Sequence, residues 1–357
     1  MEYAVIMSGG VGSRFWPKSR KNRPKQFLRT VGAKTMIQTT VDRISKIVPM
    51  DRIYIVTSGQ YIDTLETQIP EILPENILIE PMNRDTATCI GLAAVHLLKK
   101  DPDATMIVLP SDHLIFDQDK FEEVINDAVV VARETGCLMT MGIKPTRPET
   151  AYGYIEAGKS IDTYDCPVYV AKRFIEKPNK VKAIEFLNKG TYLWNSGMFV
   201  WQASVLMDEI KRFLPDLYSS LMKISDAIGT KREAKVLEEV YQEIDGISID
   251  YGIMERSTRV YVIEADFKWD DIGSWTALER FFEKDANGNI VKALNSKIDT
   301  RECIIFGEDR LIATIGVSNL IIVDTGDVVL VCDKSRDQDI KELLKIIVEQ
   351  QELTKFI

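Results

Sequence analysis

Residues 3–14 read Tyr-Ala-Val-Ile-Met-Ser-Gly-Gly-Val-Gly-Ser-Arg, an apolar run that ends in a glycine-rich turn. The run Tyr3–Met7 is typical of a buried strand, because its residues are almost all apolar and suit a sheet. Further runs of this kind alternate with amphipathic segments of helical length. This alternation predicts a βαβ series, and therefore a Rossmann-like α/β fold with a mixed, mostly parallel sheet flanked by helices. Ligands of such sheets bind beyond the carboxyl ends of the strands, where the glycine-rich turn is expected.

The remaining predicted elements divide the chain into a large and a small part. The predicted strands after the first are 52–57, 105–109, 168–175, 197–201 and 260–265. The predicted helices are 36–47, 86–98 and a long helical region over 203–241. After a turn at 285–289, the short strand-like runs are 303–306, 311–315, 320–323 and 328–332, followed by a helix near 337–350. We therefore predict one domain over residues 1–285 and a small β-rich domain over 286–357.

Composition excludes several classes of protein. The chain has 357 residues, of which 45% are hydrophobic and 28% charged, as in an ordinary globular protein. No apolar run is long enough to cross a bilayer, and no export signal precedes the first strand, so we expect a cytoplasmic protein that does not bind membranes. A net charge of −9 disfavours nucleic-acid binding. The 5 cysteines lack CxxC spacing, which disfavours a disulfide framework or a zinc site.

The glycine-rich turn is a candidate phosphate cradle. Gly9, Gly10 and Gly12 let backbone N–H groups approach phosphate oxygens without Cβ clashes. The turn is not a P-loop, since GxxxxGK[ST] is absent, and a third glycine at dinucleotide spacing is missing. A basic, proline-stiffened loop follows, whose cations are Arg14, Lys18, Arg20, Lys21, Arg23 and Lys25. This density of cations indicates a phosphate-rich ligand, although a glycine turn followed by a solvated basic loop is the structural alternative.

Aspartates follow two predicted strands that are far apart in the sequence. Asp112 stands in Leu-Pro-Ser-Asp-His, directly after the strand at 105–109, and Asp270 and Asp271 stand in Trp-Asp-Asp-Ile-Gly-Ser-Trp. Mg²⁺ prefers one or two carboxylates together with water and substrate phosphates, so two aspartates brought together by the fold would suffice. In the second motif, either Asp270 or Asp271 could be the Mg²⁺ ligand. Taken alone, each motif is better explained by an aspartate that caps a helix or turn, since Asp is a common cap residue.

Three later segments carry groups that suit a sugar phosphate. Lys177 can bind a phosphate, Glu176 and Asn195 can bond hydroxyl groups, and Gly153 allows close backbone approach. Each of these residues alone is also common in surface turns. A further segment, 249–255, reads Ile-Asp-Tyr-Gly-Ile-Met-Glu and receives no role.

The segment 80–87, Glu-Pro-Met-Asn-Arg-Asp-Thr-Ala, begins a predicted helix whose N-terminus would face a nucleotide. Asn83 and Arg84 can address base edges or ribose, and bonding the guanine amine and carbonyl would discriminate against adenine. Asp85 is equally compatible with a simple N-cap.

Taken together, these motifs resemble the sugar nucleotidyltransferase family over residues 1–285. The resemblance implies that Arg14 and Lys25 grip a triphosphate and that Asp112 and Asp271 bind Mg²⁺. It further implies that Lys177 binds a sugar 1-phosphate. Catalytic roles then fall on Arg14, Lys25, Asp112 and Lys177. The nucleotide-binding set is Ser8, Gly9, Gly10, Gly12, Ser13, Arg14, Lys25, Asn83, Arg84, Asp85 and Ser111, and the sugar-phosphate set is Gly153, Glu176, Lys177 and Asn195.

Within that family, the motifs resemble the branch that uses GTP and mannose 1-phosphate more closely than the branches that use UTP or dTTP. The implied products are GDP-mannose and pyrophosphate. The tail resembles a truncated left-handed β-helix that packs on the catalytic domain or on a partner subunit, and we expect a homodimer. It is too short for the cupin-type isomerase domain of bifunctional relatives. A transferase for another sugar or base and a non-catalytic binder of sugar nucleotides remain the alternatives.

Overall fold

The computed structural model describes every residue from Met1 to Ile357, and the chain divides into two compact units. The first unit contains Met1–Gly9 and Thr40–Asp270, and the second contains Gly10–Thr39 and Asp271–Ile357. Most of the glycine-rich turn and the whole basic loop therefore belong to the same unit as the C-terminal residues. Each of these units combines two separate segments of the chain, whereas the predicted domains divide the chain once, between residues 285 and 286. That predicted boundary remains a prediction.

The first unit is built on a mixed sheet of nine strands, whose order is β3-β2-β1-β4-β9-β6-β10-β8-β7, with a separate β5–β11 pair. Its strands are β1 (Glu2–Ser8), β2 (Ile53–Ser58), β3 (Ile77–Glu80), β4 (Thr105–Pro110), β5 (Leu114–Ile115), β6 (Leu138–Ile143), β7 (Tyr154–Ile161), β8 (Val168–Ile175), β9 (Tyr192–Gln202), β10 (Val260–Ala265) and β11 (Trp269–Asp270).

The N-terminal half of this sheet is parallel, as the apolar runs predict. Strand β1 pairs in parallel with both β2 and β4, and its central residues are fully buried on both faces. Strand β9 then runs antiparallel between β4 and β6, which makes the sheet mixed. Met7 pairs with Pro110, so the residues that follow β1 and β4 emerge at the same edge.

Helices complete the chain. They are α1 (Met36–Ile44), α2 (Ile62–Gln68), α3 (Asp85–Lys100), α4 (Gln118–Thr135), α5 (Lys180–Lys189), α6 (Ala203–Phe213), α7 (Pro215–Ala227), α8 (Glu233–Glu243) and α9 (Ile340–Glu349). Helix α3 packs on β1 and against α6 and α7, and the apolar side chains of these elements form one continuous core. Gly91 in α3 permits the close approach of α7, because a Cβ there would lie 2.5 Å from the Cδ1 atom of Leu221. None of the helices is both long and apolar enough to span a bilayer.

The C-terminal part of the second unit forms short parallel coils. Its strands are β12 (Ile290–Lys292), β13 (Asn295–Ile298), β14 (Ile304–Phe306), β15 (Ile312–Ile315), β16 (Leu320–Asp324) and β17 (Val329–Asp333). Strands β12, β14 and β16 stack in parallel, as do β13 and β15, and β17 closes the first stack as an antiparallel strand. The buried side chains of Cys303, Ile305 and Ile322 fill its interior. This arrangement confirms the predicted β-helix-like tail.

Candidate active site

The glycine-rich turn leaves the end of β1 as predicted, and Lys25 packs directly on it. Gly12 has a φ of +68°, a conformation that residues with a Cβ rarely adopt. A Cβ at Gly12 would lie 2.4 Å from the Cβ of Lys25, so no larger residue fits. The backbone N–H of Lys25 donates to the carbonyl oxygen of Val11 at 3.2 Å. The structure therefore brings together the turn and one of the two cations assigned to the triphosphate.

Those two cations differ in their contacts. Lys25 is buried, and its Nζ donates to the backbone oxygen of Asp271 at 2.6 Å and lies 5.7 Å from the centre of the Phe15 ring. The Nε atom of Arg14 is buried and has no hydrogen-bond partner. A buried donor without a partner costs about 1–3 kcal/mol, so Arg14 is suited to receive an anionic group.

The two aspartate motifs are positioned by the β5–β11 pair. Ser111 donates its N–H to Met7 at 3.1 Å, which anchors the segment containing Asp112 beside the end of β1. Leu114 of β5 pairs with Asp270 of β11, and the Trp269 indole N–H donates to Nδ1 of His113 at 3.1 Å.

The two aspartates of the second motif differ in their exposure. Asp270 is buried in the strand, whereas Asp271 is partly exposed and accepts a bond from the N–H of Gly273 at 3.1 Å. The intervening Ile272 has a φ of +42°, a strained conformation for a β-branched residue. Strain of this kind clusters at functional sites, and it also occurs at Asp85 and Lys177, with φ values of +62° and +47°.

The four predicted sugar-phosphate residues form one cluster. Glu176 and Lys177 make an ion pair, and a Cβ on Gly153 would lie 2.4 Å from Oε2 of Glu176. Asn195 donates its backbone N–H to Gly153 at 2.8 Å. Burial lowers the pKa of Lys177, but the bond to Glu176 and the charges of Glu176, Asp250 and Tyr251 together outweigh burial, so the net shift is upward. The cluster thus holds a charged lysine whose carboxylate partner is already in place.

Asp250, to which the sequence pattern assigns no role, is an acidic member of this cluster. Asn195 donates its Nδ2 to Asp250 at 2.9 Å, and Glu255 accepts the backbone N–H of Glu176 at 2.8 Å. Burial, and next the nearby carboxylate of Glu176, raise the pKa of Asp250 to about 7. Residues 250–254 form a π-helical turn, a rare element that frequently occurs at functional sites. The segment 249–255 was conspicuous in the sequence, but nothing in its spacing revealed its spatial neighbours.

The residues predicted to address the base lie at the N-terminus of α3. Asn83 accepts the N–H of Asp85 at 2.9 Å, and Asp85 accepts the N–H of Thr86 at 2.7 Å, so both satisfy the first turn of the helix. The guanidinium group of Arg84 donates to the carbonyl oxygen of Tyr241 at 2.7 Å and to that of Gln242 at 3.1 Å. The bonds of Asn83 and Asp85 are local, those of Arg84 reach the end of α8, and the assigned nucleotide roles remain predictions.

No group of three or more His, Cys, Asp or Glu side chains is arranged to hold a metal ion. Mg²⁺ does not require such a group, since one or two carboxylates complete its shell with water and phosphate oxygens. The carboxylates of Asp112 and Asp271 therefore have the donor chemistry that Mg²⁺ prefers.

Comparisons with known proteins agree along the whole chain. Residues 3–288 match the model of the nucleotidyl transferase family, and residues 286–347 match the MannoseP isomerase/GMP-like β-helix domain. A mannose-1-phosphate guanylyltransferase of Escherichia coli is 37% identical over 97% of this chain and 74% of its own length. The alginate biosynthesis protein AlgA of Pseudomonas putida is 36% identical over 98% of this chain and 72% of its own. A Thermus thermophilus structure described as a mannose-1-phosphate geranyltransferase matches with a TM-score of 0.86 and 34% identity, covering 97% of this chain and 99% of that one.

Proposed function

This chain belongs to the nucleotidyl transferase family, and we infer that it is a mannose-1-phosphate guanylyltransferase. It transfers GMP from GTP to mannose 1-phosphate, giving GDP-mannose and pyrophosphate. The observation that carries this inference is the joint match of both parts of the chain to relatives named for that reaction, at 37% identity over 97% of the chain.

The transfer proceeds by in-line attack. A phosphate oxygen of mannose 1-phosphate forms a bond to the α-phosphorus of GTP, and the bond from that phosphorus to the bridging oxygen of the β-phosphate breaks. No general base is needed, because the sugar phosphate is already an anionic nucleophile. Catalysis then rests on positioning and on neutralising charge.

The residue roles follow from the charges of the site. Arg14 stabilises the departing pyrophosphate, and its partnerless Nε supports this role. Lys25 binds the triphosphate beside the glycine-rich turn. Lys177 binds the phosphate of the sugar, and Glu176, Asn195 and Gly153 hold the ring.

Mg²⁺ is the proposed cofactor, held by Asp112 and Asp271, and when bound it supplies positive charge to the triphosphate. The partial exposure of Asp271 supports it over the buried Asp270. We further propose a homodimer that works in the cytoplasm. Replacing Asp271 with Asn should then abolish Mg²⁺-dependent turnover, and Asp270→Asn should have a smaller effect.

Pyrophosphate release tests the function. GTP, UTP, dTTP and ATP are each combined with mannose 1-phosphate or glucose 1-phosphate, in Mg²⁺ and in EDTA. Metal-dependent release that is strongest for GTP with mannose 1-phosphate is the expected result. Stronger release with another pair would identify a different transferase, and no release with any pair would leave a non-catalytic binder of sugar nucleotides.

A further inference from the structure

A second cationic cleft lies within the second unit, and none of its residues belongs to the predicted substrate sites. It has a volume of about 340 Å³, a size that holds a small metabolite. Lys18, Arg29 and Lys292 line it together with Phe282 and Phe306. The rings of Phe282 and Phe306 contact each other edge to face, with their centres 5.9 Å apart.

The three cations of this cleft have no ion-pair partner. Lys18 is half-buried, and its Nζ lies 5.7 Å from the centre of the Phe306 ring. Lys292 lies over the ring of Phe282 at 4.8 Å, and Arg29 is exposed. Burial lowers the pKa of Lys18, and the carboxylate of Glu308 offsets this only in part. Contact with an aromatic ring stabilises a cation by about 0.5–2 kcal/mol but supplies no negative charge to pair with it.

The acidic residues of the cleft do not cancel this charge. Asp324 is paired with Arg310, whose Nε donates to it at 2.8 Å, so its negative charge is already compensated. Glu308 is exposed. The hydroxyl of Thr30, another lining residue, is buried without a hydrogen-bond partner. The cleft is thus lined by three cations and by only one uncompensated carboxylate, which is exposed. This excess of positive charge suits an anion with several oxygen atoms.

We propose that this cleft binds the phosphate group of a small metabolite and that the bound metabolite regulates the glycine-rich turn. Lys18 is directly connected to that turn. Its backbone N–H donates to Phe15 at 2.9 Å, and the adjacent Ser19 donates its hydroxyl to the carbonyl oxygen of Gly12 at 2.6 Å. A ligand that orders Lys18 therefore also orders the loop that carries Arg14. The regulatory part of this proposal depends on the proposed transferase activity, whereas the binding part does not.

Titration calorimetry at constant ionic strength tests the binding. The probes are inorganic phosphate and glucose 6-phosphate, and the variants are Lys18→Met, Lys292→Met and Arg29→Gln. Each variant should weaken binding about tenfold, since each removes one charge-assisted contact. Arg29 is exposed, so its replacement tests the site without disturbing the fold. Lys177→Asn serves as the control for binding at the sugar site and should leave this affinity unchanged.

The two probes identify the source of the phosphate. Tighter binding of glucose 6-phosphate indicates an organic phosphate, and equal affinity indicates that inorganic phosphate itself is the ligand. Unchanged affinity in all three cleft variants would overturn the binding proposal, whatever the enzyme catalyses. The regulatory part is tested by KM for GTP, which the probe should change in the intact enzyme but not in Lys292→Met. A KM for GTP that does not respond to the probe in the intact enzyme would overturn that part.

Discussion

The sugar-side cluster and the glycine-rich turn both carry cations, but they compensate the charge in different ways. In the sugar-side cluster, Lys177 already pairs with Glu176, and Asn195 already bonds Asp250. Beside the glycine-rich turn, the buried Nε of Arg14 has no hydrogen-bond partner. The first region is organised before substrate arrives, whereas the second keeps uncompensated positive charge.

This difference suits the two ligands. A sugar 1-phosphate carries one phosphate group and several hydroxyls, and a cluster of mixed charge can bond both. A nucleoside triphosphate carries about four negative charges, so an excess of cations stabilises it and the departing pyrophosphate. The contrast predicts that losing charge at the turn affects the reaction rate, whereas losing charge in the cluster affects sugar-phosphate binding.

The largest effect is expected at Arg14. Arg14→Gln keeps the three side-chain carbons Cβ, Cγ and Cδ and a polar end but removes the charge. It should lower kcat about 1000-fold, because stabilisation of the leaving group is lost in the transition state. Initial rates of pyrophosphate release at saturating substrates measure this effect. Arg20→Gln is the matched control, since Arg20 is committed to an ion pair with Asp327 at 2.6 Å. Equal losses of kcat in the two variants would show that Arg14 has no special role in catalysis.

A smaller and different effect is expected at Lys177. Lys177→Asn removes the charge at a position whose φ of +47° asparagine tolerates better than alanine does. It should raise KM for mannose 1-phosphate about 100-fold and leave KM for GTP nearly unchanged. Lys177→Arg should restore part of the affinity. An increase in KM for GTP of the same size would erase the distinction between the two regions.

Glycines of the two regions should also respond differently. Gly12→Ala should lower the free energy of unfolding by about 2 kcal/mol, because alanine is strained at this positive φ and collides with Lys25. Gly153→Ala meets the end of the Glu176 side chain, which can move, and approaches the Cβ of Asn195 to 3.2 Å, which requires only a small shift. It should therefore impair sugar-phosphate binding more than stability. Urea unfolding of both variants measures the difference, and a greater loss of stability in Gly153→Ala would contradict it.

Much of this arrangement could be predicted from the sequence, but not all of it. The buried run of β1 and the glycines that follow it are local signals, and they located the turn correctly. Strands β3, β6 and β7 were not predicted, and β9 proved longer than expected, since pairing with distant partners stabilises strands that local patterns do not reveal. Asp250 joins Asn195 across 55 residues of sequence, a proximity that only the folded sheet creates.

The smallest expected effect concerns pH and tests whether Asp250 in the sugar-side cluster is protonated near neutral pH. Because the pKa of Asp250 is raised to about 7, its contribution to stability is complete below the unfolded pKa and is lost as pH rises through the folded value. As pH rises from 5 to 8, this group should lower the free energy of unfolding by about 1–2 kcal/mol. The coupling of Asp250 to Glu176 reduces this value. Asp250→Asn should remove that part of the pH dependence.

Urea unfolding of the intact protein and of Asp250→Asn at pH 5 and at pH 8 measures this contribution. The difference between the two proteins isolates Asp250 from other titrating groups, provided that the variant keeps the same urea dependence of unfolding. Asparagine retains a side-chain oxygen that can accept the bond from Asn195. A variant as sensitive to pH as the intact protein would show that Asp250 is ionised throughout this range. The sugar-side cluster would then carry an excess of negative charge before mannose 1-phosphate binds, and Lys177 alone would offset it.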